Sequence, residues 1–241
     1  MTTETHPISV PRSTGDALST YKFTPPRGSI ASHFPQTRST ISMRGALVAH
    51  GRAIVFESDL ERKHALVLLA SGQTADLIEQ PKSLKFIDFE GREFSHTFDF
   101  AWILKDGRRA FVYSKPEERV AGRKLDALVE HMRGQVPQHV ADGIVLMTER
   151  DITPTAVFNA ELLHAARRSG NPVVEKLVLG HCSAEARPVP IGTLVTLFGG
   201  GRVSFRPIIR LVAEGLLCAM GPGRLDYDTL VTVARYGEDA Q

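Results

Sequence analysis

Two residues in the segment HTFDFAWILKDGRRAFVYSKP, residues 96–116, have side chains that could carry out phosphodiester chemistry. Asp99 lies in a run of strand-forming residues, and Lys115 ends the next such run. An aspartate can bind a hard divalent cation through oxygen, while a lysine can hold a phosphate or polarise an attacking water. An aspartate and a lysine on paired strands are therefore compatible with a metal-dependent nuclease site. The alternative is an ordinary hairpin whose charged side chains keep a sheet edge soluble.

The loop between the two strands decides whether these side chains meet. Alternation along a strand puts Tyr113 and Lys115 on one face. A two-residue loop would turn Asp99 to the opposite face. A three-residue loop, residues 105–107, would pair residue 99 with residue 113, and Gly107 can adopt the positive φ that such a loop needs. In that register Asp99, Tyr113 and Lys115 converge.

The elements around this hairpin predict an α/β domain over residues 46–170. Their order is α-β-β-β-α-β-α, which makes one mixed sheet flanked by helices. They are a helix starting near Ser58, strands over 83–89, 92–104 and 108–115, a helix over 119–133, a strand over 142–149 and a helix from Thr153 and Pro154 to about Arg168.

A second, winged-helix-like domain is predicted over residues 171–241. Two short helices separated by a tight glycine turn precede a hairpin-like segment with Gly-Pro-Gly at its tip, an order typical of a winged helix. We expect Ser204 to cap the second of these helices and Pro207 to lie in its first turn. Arg206 and Arg210 would share one face and are candidates for binding DNA phosphates. Docking of a protein is the alternative, because this domain holds seven basic and seven acidic residues.

Composition narrows the class of protein. Hydrophobic residues make up 42% of the 241 residues and the net charge is +2, as in many globular proteins. Residues 1–45 are rich in Pro, Ser and Thr and predict an extended arm, either a solvated tail or a basic segment that tracks phosphates. No apolar run approaches the ~20 residues that span a membrane, and no signal peptide is predicted. Cys182 and Cys218 are too few for a disulfide framework, so we expect a cytoplasmic protein.

Other acids have structural explanations beside functional ones. Glu61 lies three residues after Ser58 and can close a capping box. Because Glu57 and Asp59 also place negative charge at the helix start, Glu61 could serve a metal as well. Glu79 precedes a proline and is either a turn residue or a further acid near a metal. No catalytic histidine is predicted among the nine in the chain.

Several segments, taken in order, resemble the TnsA-type transposon-end endonucleases, which are members of the PD-(D/E)xK nuclease superfamily. They are GRAIVFESDLERKHALVLL, LIEQPKSLKF, HTFDFAWILKDGRRAFVYSKP, IVLMTERDITP and the winged-helix-like tail. The similarity covers roughly residues 44–235. It implies a restriction-endonuclease-like sheet in the first domain, followed by the winged-helix-like C-terminal domain.

The resemblance also assigns residues to the site. The family's catalytic glutamate, aspartate and lysine fall on Glu61, Asp99 and Lys115. An Mg²⁺ or Mn²⁺ ion would be bound by Asp99, by Glu61 through water and by the backbone carbonyl of Tyr113. Phe98 stands where proline or threonine is usual, and Tyr113 where Glu or Gln is usual. Because a neutral phenol is a poor ligand for Mg²⁺, water must supply further ligands.

The implied function is the endonuclease subunit of a transposase, cutting the 5′ ends of a transposon. A DDE-type transposase would cut and join the 3′ ends, with an ATPase regulator as a further partner. Two other interpretations stay open. The chain could be a DNA-binding or assembly subunit that kept the fold and lost the chemistry, or a stand-alone restriction or repair nuclease on the same fold.

Overall fold

The computed structural model describes residues 43–185 and 187–234, which form two compact units. Within the described ranges, the first unit holds residues 43–65 and 75–150, and the second holds residues 66–74 and 151–234. The second unit therefore begins ahead of residue 171, the predicted start of the C-terminal domain. The predicted N-terminal arm lies outside the described residues, apart from its last three.

The first unit is a mixed α/β structure. Its elements are β1 (Gly45–Ala49), β2 (Arg52–Phe56), the first part of α1 (Asp59–Ala70), β3 (Thr74–Glu79), β4 (Leu84–Ile87), β5 (Glu93–His96), β6 (Phe100–Leu104), β7 (Arg109–Ser114), α2 (Glu117–Arg123), α3 (Leu125–Arg133) and β8 (Gly143–Met147). The central sheet has the order β3-β6-β7-β8. Because β6 is antiparallel and β8 parallel to β7, this sheet is mixed, as predicted. Two hairpins, β1–β2 and β4–β5, form separate two-stranded sheets.

The first unit differs from the prediction in three respects. The strand expected over 92–104 is interrupted at residues 97–99, so Asp99 lies just before β6. The helix expected over 119–133 is divided into α2 and α3, because Lys124 adopts a left-handed conformation with φ 52°. An apolar stripe continues across that break and conceals it from the sequence pattern. The β1–β2 hairpin and β3 were not predicted from the sequence.

Local signals placed other elements correctly. Ser58 precedes α1 and its Oγ accepts the N–H of Glu61 at 3.1 Å. Strand β8 falls inside the predicted segment. Thr153 caps the next helix, accepting the N–H of Ala156 at 3.0 Å. Each of these signals depends on residues within one turn, which is why the sequence reveals them.

Aromatic and aliphatic side chains form the core beside the β6–β7 hairpin. The buried members are Phe86, Phe98, Phe111, Val129, Met132, Ala141 and Ile144. Phe98 is 1% exposed and stacks on Phe111 with 4.8 Å between ring centroids. Fully burying one such side chain contributes roughly 1.5–3 kcal/mol. The position of Phe98 in this core therefore holds its neighbour, Asp99, just before the start of β6.

The second unit combines helices with a small antiparallel sheet. It contains the end of α1, α4 (Pro154–Ala166), α5 (Pro172–Ala184), β9 (Val189–Pro190), α6 (Ile191–Leu197), α7 (Gly201–Ala213), β10 (Leu217–Met220) and β11 (Leu230–Val233). The strand order is β10-β11-β9, and the neighbouring strands are antiparallel. A 3₁₀ helix, Glu149–Asp151, stands between β8 and α4 in the chain. No helix within residues 43–185 and 187–234 is both long and apolar enough to cross a membrane.

The start of α7 corrects the predicted cap. The helix begins at Gly201, after Gly200 with φ 75°, so Ser204 lies inside the helix and the prediction that it caps α7 is wrong. Its hydroxyl donates instead to the carbonyl of Phe198. Pro207 is within the helix rather than in its first turn. The glycine turn starts the helix earlier because glycine reaches positive φ without a steric penalty.

Candidate active site

The N–H of Leu104 donates to the carbonyl of Arg108 at 2.9 Å, so residues 105–107 form the three-residue loop that one of the two predicted registers requires. Phe100 pairs with Val112 in the antiparallel ladder. Asp99, the residue before Phe100, lies just outside this ladder, with its carboxylate on the same side as the Lys115 ammonium. Gly107, the last residue of the turn, has φ 88°. The positive φ that the three-residue loop needs is therefore present at this glycine.

Asp99 is held by contacts to its side chain and its backbone. Its Oδ2 lies 3.7 Å from Nζ of Lys115 and accepts the backbone N–H of Ser114 at 2.7 Å. Its own N–H donates to the carbonyl of Val112 at 3.1 Å, and its carbonyl accepts the N–H of Gln80 at 2.9 Å. Within the described part of the chain, Oδ1 receives no hydrogen bond. The carboxylate is therefore oriented through one oxygen while the other is available to a ligand.

The pKa of Asp99 is raised, and burial is the main cause. Burial raises it to about 6 from the ordinary 3.8. The charge of Lys115 lowers the pKa, whereas the charge of Glu61 raises it. The hydrogen bond from Ser114 lowers it, and Glu57 raises it. Both glutamates thus lie within electrostatic range of Asp99. An acid perturbed by burial and by specific charged neighbours is a common property of functional sites.

Tyr113 packs beneath the lysine instead of supplying an acid. Nζ of Lys115 lies 4.5 Å from the centroid of the Tyr113 ring, a distance at which a cation–π attraction operates. The ring meets His96 edge-on with 4.6 Å between centroids. Burial, together with the charge of Lys115, lowers the pKa of His96 to about 4, so this histidine is neutral at physiological pH. Tyr113 is thus part of an aromatic support for Lys115.

Glu61 closes the capping box that its spacing from Ser58 predicted. Its Oε1 accepts from the hydroxyl of Ser58 at 2.8 Å, and its Oε2 accepts the backbone N–H of Glu57 at 2.7 Å. These bonds fix the carboxylate at the start of α1. Its charge still contributes to the raised pKa of Asp99. Because each carboxylate oxygen can accept more than one hydrogen bond, capping does not exclude a water-mediated role at the site.

Glu79 is accounted for by a structural ion pair. It is fully buried at the end of β3, and its Oε2 lies 2.6 Å from Nη1 of Arg52. Nη2 of Arg52 lies 2.9 Å from Oδ1 of Asp76. A buried carboxylate needs such a partner, since an uncompensated buried charge is strongly unfavourable. Of the two interpretations open from the sequence, these contacts support a structural role.

A buried histidine missing from the predicted site lies behind the end of β7. His64, on α1, is 0% exposed. Its Nε2 lies 2.9 Å from the carbonyl oxygen of Thr148, and its Nδ1 is hydrogen-bonded to the hydroxyl of Ser114. The only signal in the sequence that could have indicated His64 was its spacing from Glu61. Residues three positions apart on a helix lie on the same side of it.

Arg206 and Arg210, in the second unit, both contact side chains of the segment 169–175. Nη1 of Arg210 donates to both carboxylate oxygens of Glu175, at 2.8 and 3.0 Å. Nη1 of Arg206 is 3.4 Å from the hydroxyl of Ser169. The charge of Arg210 is therefore compensated within the fold, which leaves the exposed Arg206 as the better candidate for a phosphate contact.

The donors near Asp99 fit a hard divalent cation that keeps most of its water. Mg²⁺ is commonly bound through one or two carboxylates and several waters. Asp99 offers a carboxylate oxygen, and Glu61 adds negative charge nearby. Among the described residues, no three His, Cys, Asp or Glu side chains are grouped so that they could hold one metal ion. With so few protein donors, an ion at this position would keep most of its ligands as water.

The sequence matches no protein-family model and no curated protein. Function must therefore be argued from the geometry of Asp99, Lys115 and their neighbours.

Proposed function

We propose that this protein is a metal-dependent DNA endonuclease that acts as a transposase subunit and cuts the 5′ ends of a transposon. One observation carries the proposal: Nζ of Lys115 lies 3.7 Å from Oδ2 of Asp99, at the end of an antiparallel strand pair within a mixed sheet. The acidic start of α1 adds Glu61 to the same electrostatic environment. This combination of one strand acid, one strand lysine and one helix acid suits hydrolysis of a phosphodiester.

Each residue has a distinct role in the proposed reaction. A bound Mg²⁺ or Mn²⁺ ion would supply charge stabilisation at the phosphate and a more acidic water. Asp99 would hold that ion through Oδ1. The carbonyl of Tyr113 faces β8 in the parallel ladder, so water would supply the further ligands. Lys115 holds the scissile phosphate or orients the attacking water. The ring of Tyr113 limits the positions that the Lys115 ammonium can take. Glu61 contributes negative charge and a water-mediated contact.

The second unit is proposed to be a winged-helix module that binds DNA or docks a protein. The order α6, α7 and the β10–β11 hairpin, with β9 added to the sheet, supports this proposal. Partners in the proposed assembly are transposon-end DNA, a DDE-type transposase that processes the 3′ ends and an ATPase regulator. Arg206 is the first candidate for a phosphate contact because it is exposed.

A second candidate function is a DNA-binding or assembly subunit that does not cleave. The position of Tyr113 favours it, because a ring packed against His96 supplies no acidic ligand. The capping bonds of Glu61 favour it as well. A stand-alone restriction or repair nuclease is the third candidate, and it differs by cleaving without a transposase.

The test is a nicking assay on DNA that carries the transposon ends, with Mg²⁺ and with or without the partner transposase. Asp99→Ala should abolish nicking. Asp106→Ala is the matched control, since Asp106 is an exposed acid in the turn of the same hairpin and its carboxylate pairs with Arg108 at 2.7 Å. Equal nicking by wild type and Asp99→Ala would reject the site. Cleavage that needs no transposase would favour a stand-alone nuclease.

A further inference from the structure

His64 is hydrogen-bonded through both ring nitrogens although no solvent reaches it. The carbonyl oxygen of Thr148 can only accept, so Nε2 of His64 carries the proton of that 2.9 Å hydrogen bond. In the neutral ring, Nδ1 then accepts the hydroxyl proton of Ser114. A buried imidazole is costly unless both nitrogens are satisfied, and here both are.

These bonds connect the helix and the strand that carry the proposed site. Ser114 is 4% exposed, and its backbone N–H is the donor to Oδ2 of Asp99 at 2.7 Å. The next residue, Lys115, donates its N–H to the carbonyl of Met147 at 3.0 Å. The end of β7 is thus fixed to β8 by its backbone and to α1 by His64.

We propose that His64 is a positioning residue for Asp99, acting through Ser114. By holding the hydroxyl of Ser114 on one face of β7, His64 keeps the N–H of Ser114 directed at Oδ2. Oδ1 is then left to face a ligand. This inference rests on the proposed function, because it treats Asp99 as the carboxylate that binds the metal ion.

The site needs such a positioning residue because Asp99 lies outside regular strand pairing. Oδ2 of Asp99, and not a backbone carbonyl, accepts the N–H of Ser114. A small shift of β7 would break that bond and would move the Lys115 ammonium as well. Groups that orient a metal ligand typically change metal affinity or activity by about 10- to 100-fold when removed.

The experiment compares His64→Gln, His64→Asn and His64→Leu. Asn places its amide as many bonds from the backbone as Nδ1, so it can still accept from Ser114. Gln places its amide as many bonds away as Nε2, so it keeps a donor for Thr148 and loses the contact with Ser114. Mn²⁺ affinity is measured on the DNA-free protein by electron paramagnetic resonance, with melting temperature and nicking rate recorded beside it. His64→Gln and His64→Leu should bind Mn²⁺ about tenfold more weakly, and His64→Asn should stay within about threefold of wild type.

Two further variants separate positioning from general stability. Ser114→Ala should weaken Mn²⁺ binding as much as His64→Gln, and the double variant should be no weaker than either, because both changes break one contact. Arg133→Met is the control: it removes a different helix-to-strand hydrogen bond of the same unit, from Nε of Arg133 to the carbonyl of Ile144 at 2.8 Å. It should alter the melting temperature without altering Mn²⁺ affinity.

The positioning role of His64 and the proposed function can fail separately in this experiment. If wild type binds Mn²⁺ at Asp99 but the folded His64 and Ser114 variants bind it equally well, the positioning role is overturned. If His64→Asn is weakened as much as His64→Leu, the contact with Ser114 is not what matters, and the inference fails. If wild type itself binds no Mn²⁺, the proposed function fails first.

Discussion

Nζ of Lys115 lies 3.7 Å from Oδ2 of Asp99 and 4.5 Å from the centre of the Tyr113 ring. An exposed ion pair of this kind would contribute little to stability. Here the lysine side chain is 27% exposed and that of Asp99 17%, and the ammonium is attracted to both a carboxylate and an aromatic face. The pair therefore defines a small charged site in which the Lys115 ammonium lies between a carboxylate and an aromatic ring.

Replacing Asp99 with asparagine should abolish nicking and stabilise the protein at neutral pH. Because its pKa is about 6 when folded and near 3.8 ordinarily, the folded protein binds this proton more tightly. Asp99 therefore lowers stability as pH rises from about 4 to about 6, and by about 3 kcal/mol at most above that range. Thermal melting at pH 4 and pH 7.5 checks this: the gain for Asp99→Asn should appear only at pH 7.5. A loss at both values would contradict the raised pKa.

Metal binding should weaken as pH falls below about 6. Protonation of Asp99 removes its charge, and its pKa of about 6 places that protonation well above the range of an ordinary aspartate. Each pH unit below this value should reduce Mn²⁺ affinity about tenfold if one carboxylate provides the binding. Titration of wild type with Mn²⁺ at pH 5, 6 and 7.5 measures the effect. An affinity that stays constant down to pH 4.5 would show that Asp99 is not the ligand.

Two substitutions at Tyr113 separate support of the lysine from metal ligation. Tyr113→Phe keeps the ring beneath Lys115 and should leave nicking nearly unchanged. Tyr113→Glu adds a second strand carboxylate on the face of Asp99 and should lower the Mg²⁺ concentration needed for half-maximal nicking. It also loses the contact with His96, so its melting temperature must be measured beside its activity. If the wild type and a folded Tyr113→Glu protein both fail to nick DNA, the protein is a non-cleaving subunit.

Glu61→Gln and Glu61→Ala distinguish capping from a role in the reaction. Glutamine can maintain the capping box with Ser58 while removing the charge. We expect Glu61→Gln to retain most stability and lose much of the nicking rate, whereas Glu61→Ala should lose about 1 kcal/mol of folding free energy as well. Urea unfolding and the nicking assay provide the two measurements. Full activity of Glu61→Gln would assign Glu61 to capping alone.

Arg206 and Arg210 should behave differently when each is replaced with alanine. Arg206→Ala should weaken DNA binding and reduce the slope of log affinity against log salt by about 1, as one phosphate contact is lost. Arg210→Ala should mainly destabilise the protein, because Glu175 would lose its partner at 2.8 Å. Fluorescence anisotropy across a salt series and thermal melting test the pair. An equal change of slope for both variants would show that Arg210 leaves Glu175 to bind DNA.

Local sequence determined several features that the structure contains. Ser58 and Glu61 predict the start of α1, and their hydrogen bonds close within three residues. The turn that ends at Gly107 predicts the register in which Phe100 pairs with Val112. These features could be predicted because capping, turn geometry and strand alternation depend on nearest neighbours along the chain.

Only the tertiary structure decided what surrounds those residues. His64 and Ser114 are 50 positions apart in sequence, and their hydrogen bond exists because α1 packs behind the end of β7. The pairing of Arg210 with Glu175 spans 35 positions and changes the predicted availability of that arginine. Long-range contacts of this kind, and the burial that raises the pKa of Asp99, depend on which elements pack together. No pattern of neighbouring residues contains that information.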